Sequence, residues 1–222
     1  MRSFAIIPAA GHSVRMGEPK LLLPWGSGTV IESVLAAWCA SRVDRIVTVV
    51  RGDDAQLAEV CRRAGAEVAV PETPPPEMKD SVAVGLEYIQ KRFDPNADDA
   101  WLLAPADMPT LSPFVIDRLL AEHAEAARAT NVGARGRSAK PPSEGRDSPG
   151  GATILVATFQ GKRGHPVLFP WALAPEVPLL APHEGVNALL ERHLVREVAC
   201  SDATILDDLD TPAKYRRQRP TA

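Results

Sequence analysis

The segment Pro8-Ala9-Ala10-Gly11-His12-Ser13-Val14-Arg15-Met16-Gly17-Glu18-Pro19-Lys20 follows a short apolar run and is rich in small, flexible and basic residues. A backbone turning there can present several N–H groups to phosphate oxygens. Gly11 and Gly17 permit close approach and positive φ, Ser13 adds a hydroxyl donor, and Arg15 and Lys20 can neutralise a triphosphate as its charge redistributes. An ordinary strand-to-helix turn would account for an isolated glycine pair with a surface Arg and Lys. The full ordered string favours a phosphate loop instead. It lacks the Gly-Lys-Ser or Gly-Lys-Thr ending of a Walker loop and is not a G-x-G-x-x-G dinucleotide fingerprint, so P-loop hydrolysis and hydride transfer lose ground.

Two carboxylate-bearing segments accompany this loop. Leu102-Leu103-Ala104-Pro105-Ala106-Asp107-Met108-Pro109 reads as an apolar strand ending in an aspartate, and ligands of open α/β sheets gather at such strand ends. One carboxylate suits Mg²⁺, with Mn²⁺ as an alternative, because that ion keeps waters and bridges substrate phosphates; the competing reading is an Asp that caps the next turn. Leu206-Asp207-Asp208-Leu209-Asp210-Thr211-Pro212 spaces Asp208 and Asp210 two apart, on one side of an extended segment, where both can face the same metal. Asp210 or Thr211 can equally cap the helix that Pro212 starts, and both roles are compatible.

The elements that must position these residues alternate along the chain. Strands are expected at Phe4 to Ile7, Ile46 to Val50, Glu67 to Val70 and Trp101 to Ala104, with helices at Thr29 to Ala40, Ala55 to Ala64, Ser81 to Phe93 and Pro113 to Ala127. Such alternation implies a three-layer, mainly parallel, doubly wound sheet. Residues Asn131 to Gly151 shift to Gly, Ser, Pro, Arg and Lys without apolar periodicity, which predicts a surface-loop insertion in one domain spanning 1–222. Strands at Thr153 to Phe159, Pro166 to Phe169 and Val195 to Ala199 follow, with helices at Val186 to His193 and from Pro212.

At 222 residues, 45% hydrophobic, the chain can bury one substantial core. A net charge of −3 without long runs of one sign argues against nucleic-acid or membrane-surface binding. Cys39, Cys61 and Cys200 lie far apart and read as buried apolar residues in a reducing compartment. No signal-like or membrane-spanning stretch is evident, so the cytoplasm is expected.

The string Ala9 to Pro24 resembles the signature loop of the molybdenum cofactor nucleotidyltransferase family, and more closely its cytidylyltransferase branch, which carries Ala-Ala-Gly where the guanylyltransferases begin with paired glycines. The resemblance implies a Rossmann-like nucleotidyltransferase fold that moves CMP from CTP onto the terminal phosphate of the molybdenum cofactor. It implies Lys20, Arg15 and Asp107 as catalytic residues and Asp107, Asp208 and Asp210 as metal ligands. The nucleotide would be held by Ala9, Ala10, Gly11, His12, Ser13, Arg15, Met16, Gly17 and Lys20, and by Ser81 from a loop that contacts the donor base, with Asp80 as a rival that caps the helix. Gly164, His165 and Pro166 resemble the Gly-His-Pro segment on the acceptor side, although a His before a Pro is also a common structural residue. A departure follows: His183-Glu184-Gly185-Val186-Asn187-Ala188-Leu189 stands where relatives show Gly-Asp-x-Gly-Ala-Arg, which leaves a sugar or polyol phosphate open as acceptor and, separately, GTP as donor. A noncatalytic carrier that delivers the cofactor to a molybdoenzyme or its chaperone is the rival from another class.

Overall fold

The computed structural model of the chain describes residues 1–12, 16–134 and 152–220. Seven strands form one sheet in the order β5-β4-β1-β6-β8-β7-β9. They are β1 (Ser3–Pro8), β4 (Arg45–Val49), β5 (Glu67–Ala69), β6 (Ala100–Leu103), β7 (Thr153–Phe159), β8 (Lys162–Pro170) and β9 (Leu194–Ala199); β2 (Pro24–Trp25) and β3 (Gly28–Thr29) make a separate ribbon. Within the seven-stranded sheet all pairings are parallel except those of β8, which runs against both β6 and β7. The expected mainly parallel, doubly wound sheet is what the chain forms.

Period-two alternation sorts the sheet's side chains between two cores. Ala5, Ile7, Leu102, Leu155 and Leu168 pack on one face, against α1 (Val30–Cys39), α2 (Ala55–Arg63) and α4 (Pro113–Ala134). Phe4, Ile6, Trp101, Leu103, Val167 and Phe169 pack on the other, against α3 (Met78–Phe93), the 3-10 segment Trp171–Leu179 and α5 (Ala188–Arg192). Trp101 and Phe169, partners across β6 and β8, stack with ring centroids 4.1 Å apart. Gly85 lets α3 approach closely, since a Cβ there would come within 2.9 Å of Ile6 Cγ2.

Local chemistry explains several boundaries. A capping box starts α1: the Glu32 carboxylate accepts from the Thr29 backbone N–H at 2.8 Å, and the Thr29 hydroxyl accepts from Glu32 N–H. β7 and β8 are joined by Gln160 and Gly161, both at positive φ (49° and 76°), the requirement of a tight two-residue hairpin. That hairpin extends β8 back to Lys162, so Gly164 and His165 lie within a strand rather than before one. Helix α4 continues to Ala134 and takes in the first four residues of the expected insertion; the rest of that insertion lies outside the described residues. Cys61 is buried, but Cys39 is exposed at the end of α1 and Cys200 is half-buried, contrary to the expectation for all three. Among the described residues, no helix is long and apolar enough to cross a membrane.

Candidate active site

From β1 the chain winds outward through β4 and β5, then returns to β6 on the opposite side of β1. The loops leaving β1 and β6 therefore diverge at a switch point, where a crevice opens beyond the strand ends. A cleft of about 460 Å³ occupies that position and is lined by Ala9, Ala10, Gly11, His12, Met16, Lys20, Ser81, Asp107, Asp208 and Asp210, among others. Ten expected site residues, drawn from four separate segments of the chain, thus share one cleft. Ser13 and Arg15 lie outside the described residues.

Two expected site residues lie away from the main cleft. Gly17 has the anticipated left-handed backbone (φ 71°), but that turn carries it to a neighbouring hollow of about 320 Å³ with Arg51 and Asp54, not to the main cleft. Pro166 is buried and is absent from the lining of the main cleft and from that of the cavity which holds Gly164 and His165.

The cleft's charges are paired. Lys20 Nζ donates to Asp107 Oδ2, both side chains being mostly buried. The Leu209 N–H donates to the Asp107 carbonyl at 3.0 Å, which clips the C-terminal segment to the β6 loop. That segment is extended without belonging to a strand; Leu209 is buried in the core while Asp208 and Asp210, on either side of it, line the cleft. Thr211, rather than either aspartate, caps α6 (Pro212–Gln218), accepting from Lys214 N–H at 3.3 Å. The helix is anchored by Tyr215, whose hydroxyl donates to the Pro24 carbonyl at 2.7 Å. Lys214 Nζ donates to Asp208. Burial pushes the Asp208 carboxyl up, but the Lys214 hydrogen bond and charge, together with a hydrogen bond to Asp210, hold it below the usual range. The same contact with Asp208 lifts Lys214 above its ordinary value.

Ser81 sits buried in the first turn of α3, its hydroxyl directed at the Glu77 carbonyl 3.5 Å away. Asp80 completes a capping box at the start of that helix, accepting from the N–H of Glu77, the N-cap residue, at 3.0 Å.

A second cavity of about 480 Å³ adjoins the first and includes Arg163, Gly164, His165, Asn187, Glu191 and Asp208 in its lining; Pro105 and Asp208 belong to both. Burial lowers the His165 pKa, against opposing contributions from the Leu103 backbone and the Asp107 and Asp208 charges, and its buried Nδ1 has no hydrogen-bond partner among the described residues. Gly164 is dictated by packing: an added Cβ would lie 2.4 Å from the Ile205 carbonyl oxygen.

Among the described residues, no group of three or more His, Cys, Asp or Glu side chains could by itself hold a metal ion. Asp107, Asp208 and Asp210 nevertheless line one cleft, with lysine ammonium groups on two of them. That donor set fits a hard divalent ion that takes one or two carboxylates and completes its shell with water and phosphate oxygens.

Residues 5–198 match the MobA-like NTP transferase domain. The chain belongs to that family. This MobA-like domain is 35% identical over 126 residues to the 2-C-methyl-D-erythritol 4-phosphate cytidylyltransferase of Azoarcus sp. strain BH72, a match covering 54% of this chain and 52% of that protein. The chain thus spans about half the length of the curated relatives it matches. Rv0371c from Mycobacterium tuberculosis H37Rv superimposes with a TM-score of 0.72 at 26% identity, covering 98% of this chain and 97% of that one. A second structure of Rv0371c, a complex with manganese, gives a TM-score of 0.68 at 24% identity with full coverage of both chains (100% and 100%). The molybdopterin-guanine dinucleotide biosynthesis protein A of Archaeoglobus fulgidus shares the fold at a TM-score of 0.64 and 16% identity, covering 96% of this chain and 95% of that one.

Sequence reading missed Lys214, Arg51, Asn187 and Glu191 of the MobA-like domain. One signal for Lys214 was available. A cation in the first turn of a helix opposes the macrodipole, so its position there points to a specific anionic partner. Asn187 and Glu191 carry no such mark, because only the return of α5 beside β8 brings them to the second cavity.

Proposed function

We propose that this domain is a nucleotidyltransferase that moves CMP from CTP onto the terminal phosphate of the molybdenum cofactor and releases pyrophosphate. The observation that carries this reading is the meeting of two cavities at Pro105 and Asp208, beside the Lys20–Asp107 pair. A triphosphate in the first cavity and a phosphorylated acceptor in the second would bring the reacting groups together at that shared wall. An acceptor phosphate oxygen attacks the α-phosphorus in line, the bond from that phosphorus to the bridging oxygen of the β-phosphate breaks, and the electron pair leaves with pyrophosphate. Chemistry of this kind needs positioning and charge stabilisation rather than a covalent enzyme intermediate.

Lys20, and Arg15 from the adjoining loop, would neutralise the triphosphate, and the amides of Ala10, Gly11 and His12 would hold its oxygens. Asp107, with Asp208 and Asp210, would hold Mg²⁺ or Mn²⁺, which supplies charge neutralisation to the phosphates when bound. Manganese in a structure of Rv0371c supports a divalent ion. Ser81 would contact the donor base, and Gly164 and His165 the acceptor. The resemblance of the Ala9 to Pro24 loop and the identity to a cytidylyltransferase support CTP. That same relative favours a second reading, transfer of CMP onto a polyol phosphate.

The test is pyrophosphate release with Mg²⁺ and each nucleoside triphosphate, with molybdenum cofactor, a polyol phosphate or no acceptor. Release that requires CTP and the cofactor is expected. Release with CTP and the polyol phosphate alone would establish the second reading, GTP preference would move the domain to the guanylyl branch, and nucleotide binding without release would make it a carrier.

A further inference from the structure

Arg51, the second residue after β4, is 14% exposed and directs its guanidinium at the loop that follows β1. Its Nη1 donates to the carbonyls of both Ala10 (3.3 Å) and Gly11 (3.0 Å). The guanidinium is itself held: Nε donates to Asp53 at 2.9 Å, and Nη2 lies 3.9 Å from Asp54, the residue that caps α2. Two aspartates thus neutralise Arg51, and it is absent from the lining of the donor cleft. Its influence on that cleft must pass through the loop backbone.

In a planar trans peptide the carbonyl and the following N–H point in opposite directions. A carbonyl of Ala10 turned to Arg51 turns the Gly11 N–H away from it, and a carbonyl of Gly11 so held does the same to the His12 N–H. Arg51 lines the hollow on one side of this loop, whereas Lys20 and Asp107 line the cleft on the other; Gly11 and His12 border both. We infer that Arg51 is a positioning residue that locks two consecutive amides toward the donor cleft, forming an anion-binding concavity for the triphosphate before it arrives. This rests on the nucleotidyltransferase reading. Without Arg51 those two carbonyls would be free to rotate, and each nucleotide bound would have to order the loop at its own expense.

The test compares wild type, Arg51→Met and Arg51→Lys for binding of CTP and of pyrophosphate by calorimetry, for KM and kcat with each substrate, and for thermal midpoint. Arg51→Met is expected to weaken CTP and pyrophosphate binding by about tenfold, the scale of one or two lost hydrogen bonds, and to raise KM for CTP while KM for the acceptor stays constant. Arg51→Lys, which can reach one carbonyl, should recover part of that affinity and control for a folding defect in the methionine variant. Wild-type affinity in a folded Arg51→Met protein, or equal loss toward donor and acceptor, would overturn the inference alone. No CTP binding by wild type would overturn the nucleotidyltransferase reading and the inference with it.

Discussion

The two cavities are built differently. The proposed donor cleft takes the largest part of its lining from the loop after β1, and the end of β6, the start of α3 and the aspartates Asp208 and Asp210 complete it. The proposed acceptor cavity joins β7, β8, the loop after β6, the α5 region and the segment 205–208, brought together by an antiparallel strand and a C-terminal return. A binding loop made of one segment keeps its shape through local backbone geometry, whereas a cavity made of distant segments depends on long-range packing. Perturbations of the first should therefore act on donor binding and chemistry, and perturbations of the second on the acceptor.

The largest effect expected is at Lys20. Lys20→Met removes the cation proposed to face the phosphates and takes away the ammonium partner of Asp107, so turnover should fall by about 10²–10³-fold, the scale of losing one preorganised charge-stabilising group. Acceptor affinity measured by calorimetry should be unchanged; a parallel loss of acceptor affinity would break the division between the two sides. Next is Asp208, the residue on the shared wall. Asp208→Asn should reduce turnover by about 10–100-fold and raise the divalent-metal concentration needed for half activity, as for loss of one carboxylate ligand. Lys214→Met keeps the carboxylate but frees it from its ammonium partner, and should lower the metal requirement. Identical metal dependence in both variants and wild type would remove Asp208 from the metal site.

Gly164→Ala sharpens the contrast from the acceptor side. Its Cβ would collide with the backbone of Ile205, and a carbonyl cannot yield as a flexible side chain can. The segment running to Asp208 and Asp210 must shift, costing roughly 1–3 kcal/mol of overpacking. Turnover should fall about tenfold through misplaced aspartates. CTP binding measured without metal should stay at the wild-type value; a matching loss there would mean that the segment shapes the donor side as well.

The same division decides what could be read from the sequence. The β1 loop and Asp107 were legible because small residues, basic residues and a strand-terminal carboxylate are local patterns with a local cause. Asp208 and Asp210 were legible from their spacing of two, although Leu209 holds them in place through the core rather than through a strand. The extension of β8 was hidden, because the Gln160–Gly161 hairpin requires a positive φ at a glutamine, which composition does not announce. Pro166 was assigned to the acceptor site as part of a motif, but it is buried and absent from the lining of the cavity that holds Gly164 and His165. Arg51 was unread because its contacts with Ala10 and Gly11 span about forty residues and exist only once β1 and β4 pair.

The smallest effect, and the finest test of the acceptor side, belongs to His165. Burial holds its pKa below the ordinary 6.5, so the folded protein keeps the ring neutral where the unfolded chain begins to take up a proton. Between those two values the unfolded state binds more protons, and stability must fall as pH is lowered through 6.5 toward the folded value. His165→Gln should flatten that part of the stability profile, measured by chemical denaturation across a pH series, while the slope from His123, also lowered by burial, persists. Above this window the variant should raise acceptor KM only about threefold, the scale of one neutral hydrogen bond, and leave KM for CTP unchanged. An unchanged acceptor KM together with the flattened profile would make His165 a packing residue of β8, and the acceptor cavity would then depend on Arg163, Asn187 and Glu191 for its polar contacts.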